Sequence, residues 1–156
     1  MPTKSQCLAV VAACALALPI VNHAQQGPVG VQEPAWARDG KRLALSYLDR
    51  VWTLTPDGKQ PKALTAIDGG VEREPAWSPD GTKVAFAADR GNGFDIFVVG
   101  MKNGVAAGAP TVVTNTPGDE RWPSWTPDGR IVFAHRAAPA AGHNGDASLQ
   151  IGRAHV

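Results

Sequence analysis

The chain has 156 residues, enough for one domain, with a formal net charge of +1 and 19% charged residues. That near balance excludes the basic excess expected of a nucleic-acid binder. Seventeen glycines, 13 prolines and five tryptophans suit a turn-rich β protein.

Residues 1–24 read as a secretory signal peptide. Lys4 is the lone positive charge ahead of an apolar core at residues 8–21, and Ala24 offers a small residue for cleavage. The segment is too short and wrongly flanked to remain as a membrane span. Val11-Ala12-Ala13-Cys14 looks like a lipoprotein box, but few apolar residues precede Cys14. Lipid anchoring at Cys14 is therefore the lesser reading, and a cleaved periplasmic or secreted protein the main one. Cys7 and Cys14 both fall in this segment, so the mature chain has no cysteine. Disulfides and thiolate zinc sites are excluded.

Residues 25–32 form a short lead-in, and one pattern then occurs three times. It stands as Glu33-Pro34-Ala35-Trp36 before Asp39-Gly40, and as Glu74-Pro75-Ala76-Trp77 before Asp80-Gly81. The third copy is Trp122-Pro123-Ser124-Trp125 before Asp128-Gly129. The tryptophans Trp36, Trp77 and Trp125 are 41 and 48 residues apart. Ser78-Pro79-Asp80-Gly81 reads as a type I turn closed by a glycine at positive φ, which makes a bulged hairpin. Short strands at a period near forty, with such turns, predict a β-propeller of four-stranded blades.

The first blade spans 33–65, with strands at 33–36, 42–47, 50–54 and 61–65. The second spans 74–114, with strands at 74–77, 83–87, 94–99 and 110–114. The third is partial, 122–136, with strands at 122–125 and 130–135. After His135-Arg136 the pattern is expected to fail, because 137–149 has the composition of a low-complexity loop. Residues 150–156 can be encoded by a run containing a common sequencing-adapter sequence. They read as an artefact of that origin, without function. The fold class is thus all-β: a propeller fragment of about two and a half blades, from a protein with six or seven blades. The remaining blades are missing from this chain.

Several residue types have a structural reading. Trp36, Trp77 and Trp125 recur at one blade position and are expected to pack between blades. Asp39, Asp80 and Asp128 are expected to satisfy backbone donors of their own turns. There is no Asp-x-Asp-x-Asp metal loop, no Gly-x-Ser-x-Gly, no His-Glu-x-x-His and no phosphate-binding glycine loop. No catalytic, metal or cofactor residue is assigned, and His135 and His143 are not read as catalytic.

One feature rises above the scaffold. Antiparallel strands reverse, so alternate connections emerge on opposite faces. The face opposite the Asp-Gly turns repeats acid-arginine neighbours: Asp49-Arg50, Glu72-Arg73, Asp89-Arg90 and Glu120-Arg121. These eight residues form the candidate partner-binding rim, expected to be solvated and salt-bridged. Arginine's planar fork suits a carboxylate or a peptide terminus.

The repeats resemble those of the TolB-like β-propeller family. The stretch from Glu74 to Gly81, then Val84-Ala85-Phe86, Asp95-Ile96-Phe97-Val98 and Val113-Thr114, runs in that family's order. The resemblance covers roughly residues 33–136. It implies a propeller that serves as a binding platform. The family includes the periplasmic TolB of the Tol-Pal system and propellers attached to peptidases and amidohydrolases. The expected function is a secreted or periplasmic, non-catalytic protein-binding module. The alternative is the N-terminal propeller of a larger secreted hydrolase whose catalytic domain is absent from this chain. TolB carries an α/β domain between signal peptide and propeller, where this chain has about eight residues. That departure points away from a Pal-like lipoprotein as the partner.

Export supplies a direct check. N-terminal sequencing of the exported protein should find the chain cut near Ala24. A cytoplasmic product that keeps Met1 would contradict the signal-peptide reading.

Overall fold

A computed structural model describes residues 30–65, 69–138 and 149–154. The signal peptide, most of the lead-in and most of the 137–149 segment lie outside the described residues. All regular structure among the described residues is β. None of it forms a helix long and apolar enough to cross a membrane.

Blade 1 is a meander of β1 (Gln32–Trp36), β2 (Leu43–Tyr47), β3 (Arg50–Leu54) and the short β4 (Lys62–Ala63). Blade 2 is built on β5 (Val71–Trp77), β6 (Lys83–Asp89) and β7 (Phe94–Lys102). The end of β7 turns into β8 (Val105–Ala106), and β9 (Thr111–Val112) then pairs with the middle of β7. Asn103 and Gly104 both have positive φ, the conformation a tight two-residue hairpin needs. Blade 3 is β10 (Gly118–Trp125), β11 (Ile131–Ala137) and β12 (Leu149–Ala154).

The Asp-Gly turns form as their residues dictate. Gly81 donates to the Ser78 carbonyl at 2.9 Å and Ser78 to the Lys83 carbonyl at 3.0 Å. Gly81 has φ 71°, a conformation open to glycine at little steric cost. Asp80 accepts from the Thr82 amide at 3.0 Å, and Asp39 from the Lys41 amide at 2.9 Å. The Ser78 hydroxyl and then the Thr82 amide pull the Asp80 carboxyl down to about 2.

Two expectations are corrected. The first strands begin earlier than the Glu-Pro pair, because each crosses a bulge. The register shifts between Gln32 and Ala35 in β1 against β2, between Arg73 and Ala76 in β5 against β6, and between Arg121 and Ser124 in β10 against β11. Glu33, Glu74 and Trp122 sit at these bulges with φ of 54°, 58° and 54°. A proline can occupy a strand where pairing is already interrupted, which is why the motif reads as a strand start in sequence.

The second correction concerns blade 3. It does not fail after His135: β11 runs to Ala137, and β12 pairs with it from Ile131↔Ala154 to Arg136↔Leu149. Strand pairing is a backbone property, and Leu149–Ala154 has no proline to interrupt it. The low apolar content upstream therefore does not decide the matter. The adapter origin of 150–156 stands as a separate proposal about codons, which sequencing the locus tests.

Packing is between blades. Val51 and Leu64 of blade 1 meet Val84, Phe86, Ala88 and Val99 of blade 2, with Trp77 against them. On its other face, blade 2 presents Ala85, Ala87, Ile96 and Val98 to Ile131 of blade 3, with Trp125 against them. Trp77 and Trp125 thus pack between blades as expected. Trp36 does not: it is 55% exposed, because no blade among the described residues lies on its side of blade 1. There Leu45, Tyr47, Trp52 and Leu54 line an open apolar hollow of about 310 Å³.

Phe86 is fully buried and stacks on Phe97 with ring centroids 5.9 Å apart. In the full-length protein, Phe86→Ala should destabilise by about 3–5 kcal/mol, read as a lowered denaturant midpoint. Gly81→Val should also destabilise, because a β-branched side chain resists positive φ.

Candidate partner-binding face

Adjacent residues on a strand point to opposite faces, so an acid and the arginine beside it cannot pair with each other. Glu72-Arg73 and Glu120-Arg121, each on one strand, accordingly find partners elsewhere, as do Asp49-Arg50 and Asp89-Arg90 at strand ends. Arg73 reaches back to Asp49 at 2.5 Å. Arg90 pairs with Glu72 at 3.0 Å. Arg121 pairs with Glu74, and Arg50 donates to the Thr65 carbonyl at 3.4 Å. Asp89 accepts from the Gly91 amide at 2.7 Å, holding the loop between β6 and β7.

The rim of eight therefore needs correction. Glu72 is 1% exposed and Glu120 fully buried, so neither is a solvated rim residue. Each stands on the first strand of its blade, where β-sheet alternation turns it inward between blades. Asp49 stays exposed, while Arg73, Asp89, Arg90 and Arg121 are half-buried. Burying a carboxylate is tolerated only with donors around it, and donors are present. The Glu72 carboxylate takes the Thr65 hydroxyl, Arg90 and the Val51 amide at 3.3 Å. Glu120 takes the Thr116 hydroxyl and lies 2.7 Å from Nδ1 of His135.

Two residues missed in sequence are central. Glu33 Oε2 accepts the Glu74 amide at 2.7 Å, and Glu74 Oε2 accepts the Trp122 amide at 2.7 Å. Each carboxylate thus grips the bulge of the next blade. The signal was present in the repeated Glu before Pro, but its meaning needs the neighbouring blade. The third repeat has Trp122 at this position, and its side chain is 57% exposed.

Beside it, Arg121 is held on three sides. Its guanidinium lies 4.4 Å from the Phe94 ring centroid and 5.1 Å from that of Trp122, and it pairs with Glu74. Next along β10, Asp119 accepts from the Phe94 amide at 3.1 Å and pairs with Arg136 of β11. Arg136 holds the Asp119 carboxyl below the usual carboxylate range. Gly93 lies so close to the Gly118 carbonyl that a Cβ would sit 2.6 Å from it. Burial, and then Glu120, push the Asp95 carboxyl up to about 6.

On the opposite face, a groove of about 650 Å³ runs between blades 1 and 2, with Arg38, Lys41, Arg42 and Asp80 along it. No group of three or more His, Cys, Asp or Glu among the described residues is placed to hold a metal.

The repeats and the blade architecture are similar to those of known proteins. The chain is 26% identical over 87 residues to a protein TolB homolog of Chlorobium luteolum. That match covers 54% of this chain and 20% of the relative. The structure superposes on a protein assigned as TolB from Agrobacterium tumefaciens with a TM-score of 0.64 at 21% identity. It covers 83% of this chain and 46% of that one. The chain is TolB-like in its repeats and in its fold. It also superposes on puromycin hydrolase, with a TM-score of 0.53 at 22% identity, covering 78% of this chain and 20% of that one. No protein-family model matches the chain. The chain spans a fifth of the curated TolB homolog's length and less than half of the Agrobacterium structure's.

The buried and exposed ion pairs should separate on mutation. Glu74→Ala leaves Arg121 and the Trp122 amide without their acceptor and should destabilise by about 3 kcal/mol. Asp49→Ala removes an exposed pair and should change stability by about 0–1 kcal/mol. Denaturant midpoints of the two variants in the full-length protein check the contrast.

Proposed function

We propose that the chain is part of a periplasmic or secreted TolB-like propeller that binds a protein partner and does no catalysis. The observation that carries this reading is the pre-set arginine of blade 3. Arg121 is immobilised by Glu74, Phe94 and Trp122, and the exposed indole stands beside it. A fixed guanidinium next to an exposed tryptophan has the chemistry of a binding hot spot, suited to a peptide carboxylate with an apolar neighbour. Asp49 and Arg73, from the rim read in sequence, and Arg136 extend the face with exchangeable polar contacts. Arg50, Asp89 and Arg90 support loops and blade junctions around it, and Glu72 and Glu120 act from within. The TolB homolog's likeness supports the periplasmic placement, together with the signal peptide read in sequence.

The second reading is the propeller of a larger secreted hydrolase. It is favoured by the superposition on puromycin hydrolase, of which this chain covers 20%. In that case the propeller would shape access to a catalytic domain encoded further along the reading frame.

Trp122→Ala decides between a binding face and an inert one. The side chain is exposed, and the hydrogen bond from the Trp122 backbone amide to the Glu74 carboxylate survives the change. Binding of the partner recovered from periplasmic extract should weaken at least thirtyfold, about 2 kcal/mol, while stability falls by no more than about 1 kcal/mol. Equal binding would remove Trp122 from the site. Amide or peptide hydrolysis by the full-length protein would support the second reading.

A further inference from the structure

Two junctions between blades carry the same buried acid in different surroundings. Glu72 opposes Ala88 and Glu120 opposes His135, at matching places in the register of blades 2 and 3. At the first junction every carboxylate oxygen has a donor. Glu72 Oε1 takes Thr65 and Arg90, and Oε2 takes the Val51 amide. The cation there is an arginine, which keeps its charge at every working pH.

Among the described residues, no arginine or lysine pairs with Glu120 at the second junction. Glu120 Oε1 takes Thr116 and faces His135, while Oε2 is buried without a partner. The carboxyl of Asp95 lies within hydrogen-bonding reach of Glu120. Thr114 donates to Asp95 Oδ1 at 3.3 Å. Asp95 occupies the place that Arg50 holds in blade 1. Arg50 precedes Val51 and Asp95 precedes Ile96, and both carbonyls, Val51 and Ile96, accept from the outermost segment of their blade.

We propose that Asp95 and Glu120 share one proton across the junction of blades 2 and 3, making that junction a pH-dependent lock while the Glu72–Arg90 junction stays shut. The proton on Asp95 supplies the donor that Glu120 Oε2 lacks. Without it, two carboxylates face each other, one of them fully buried. The surrounding charges do not replace it. Asp89 of β6 adds a further negative charge. On β10, Arg121 is paired with Glu74 and Asp119 with Arg136 of β11. His135 of β11 adds attraction to Glu120 only when protonated.

The sign follows from the raised pKa of Asp95, about 6 against 3.8. A group raised on folding contributes stability that is complete below the unfolded value and lost as pH rises through the folded one. The lock's contribution to stability is thus complete below about pH 4 and is lost progressively as pH rises through about 6. It does not depend on the partner-binding reading.

Hydrogen exchange of the full-length protein tests it, with rates corrected for intrinsic exchange. From about pH 4 to about pH 7, protection of the β7 and β10 amides should fall roughly tenfold or more, while the β2 and β5 amides lose none. Asp95→Asn should flatten the β7 and β10 profile, since an amide N–H donates to Glu120 and its oxygen still accepts from Thr114. Carboxyl NMR titration of the wild type covers the case of a variant that does not fold, and should place Asp95 near 6. Titration of Asp95 below about 5, or a variant profile parallel to wild type, would overturn the proposal.

Discussion

The fold depends on a carboxylate that reaches from one blade into the bulge of the next. Glu33 accepts the Glu74 amide, and Glu74 accepts the Trp122 amide. Each bulge residue has positive φ, which exposes an amide that the antiparallel ladder cannot satisfy. A buried unpaired amide is expensive, so the neighbouring glutamate is as much a part of the blade as its own strands. Apolar packing supplies most of the attraction between blades. Sheets can slide over smooth Val and Ala surfaces, and the glutamate gives the contact a register.

The same logic explains how charge is distributed. Carboxylates of the first strands lie inside the junctions, and arginines of the same face lie at their edges. An arginine can bury its stem and keep part of its fork in water, whereas a short carboxylate follows its backbone inward. The face thus presents cations held in place by acids that solvent hardly touches. Such preorganisation lowers the entropy lost when a partner binds.

The third repeat breaks the series in a useful place. Trp122 replaces the glutamate, so the carboxylate ladder ends there and an indole stands exposed beside a fixed Arg121. The next buried acid, Glu120, has exchanged an arginine partner for His135 and Asp95. Blade 3 therefore differs from blades 1 and 2 in both its contact surface and the partners of its buried acid. A repeat protein can vary one blade in this way because each blade contacts only its neighbours.

The repeat itself was legible in sequence. Pro-Asp-Gly turns, the spaced tryptophans and alternating strands are local, and local sterics decide them. The polar face was legible as a list of residues but not as a set of pairs. Glu72-Arg73 and Glu120-Arg121 read as partners because they are adjacent, yet strand alternation sends adjacent side chains apart. Which acid meets which arginine depends on how blades stack, and that is set by contacts 24 or 47 residues away in the chain. Composition also pointed to a break after His135, whereas strand pairing is a property of the backbone and β12 supplies the third strand. Sequence alone determined the module, since turns and periodicity act within a few residues. The tertiary structure decided the burial of Glu72, Glu74 and Glu120, because desolvation exists only once a second blade covers the first.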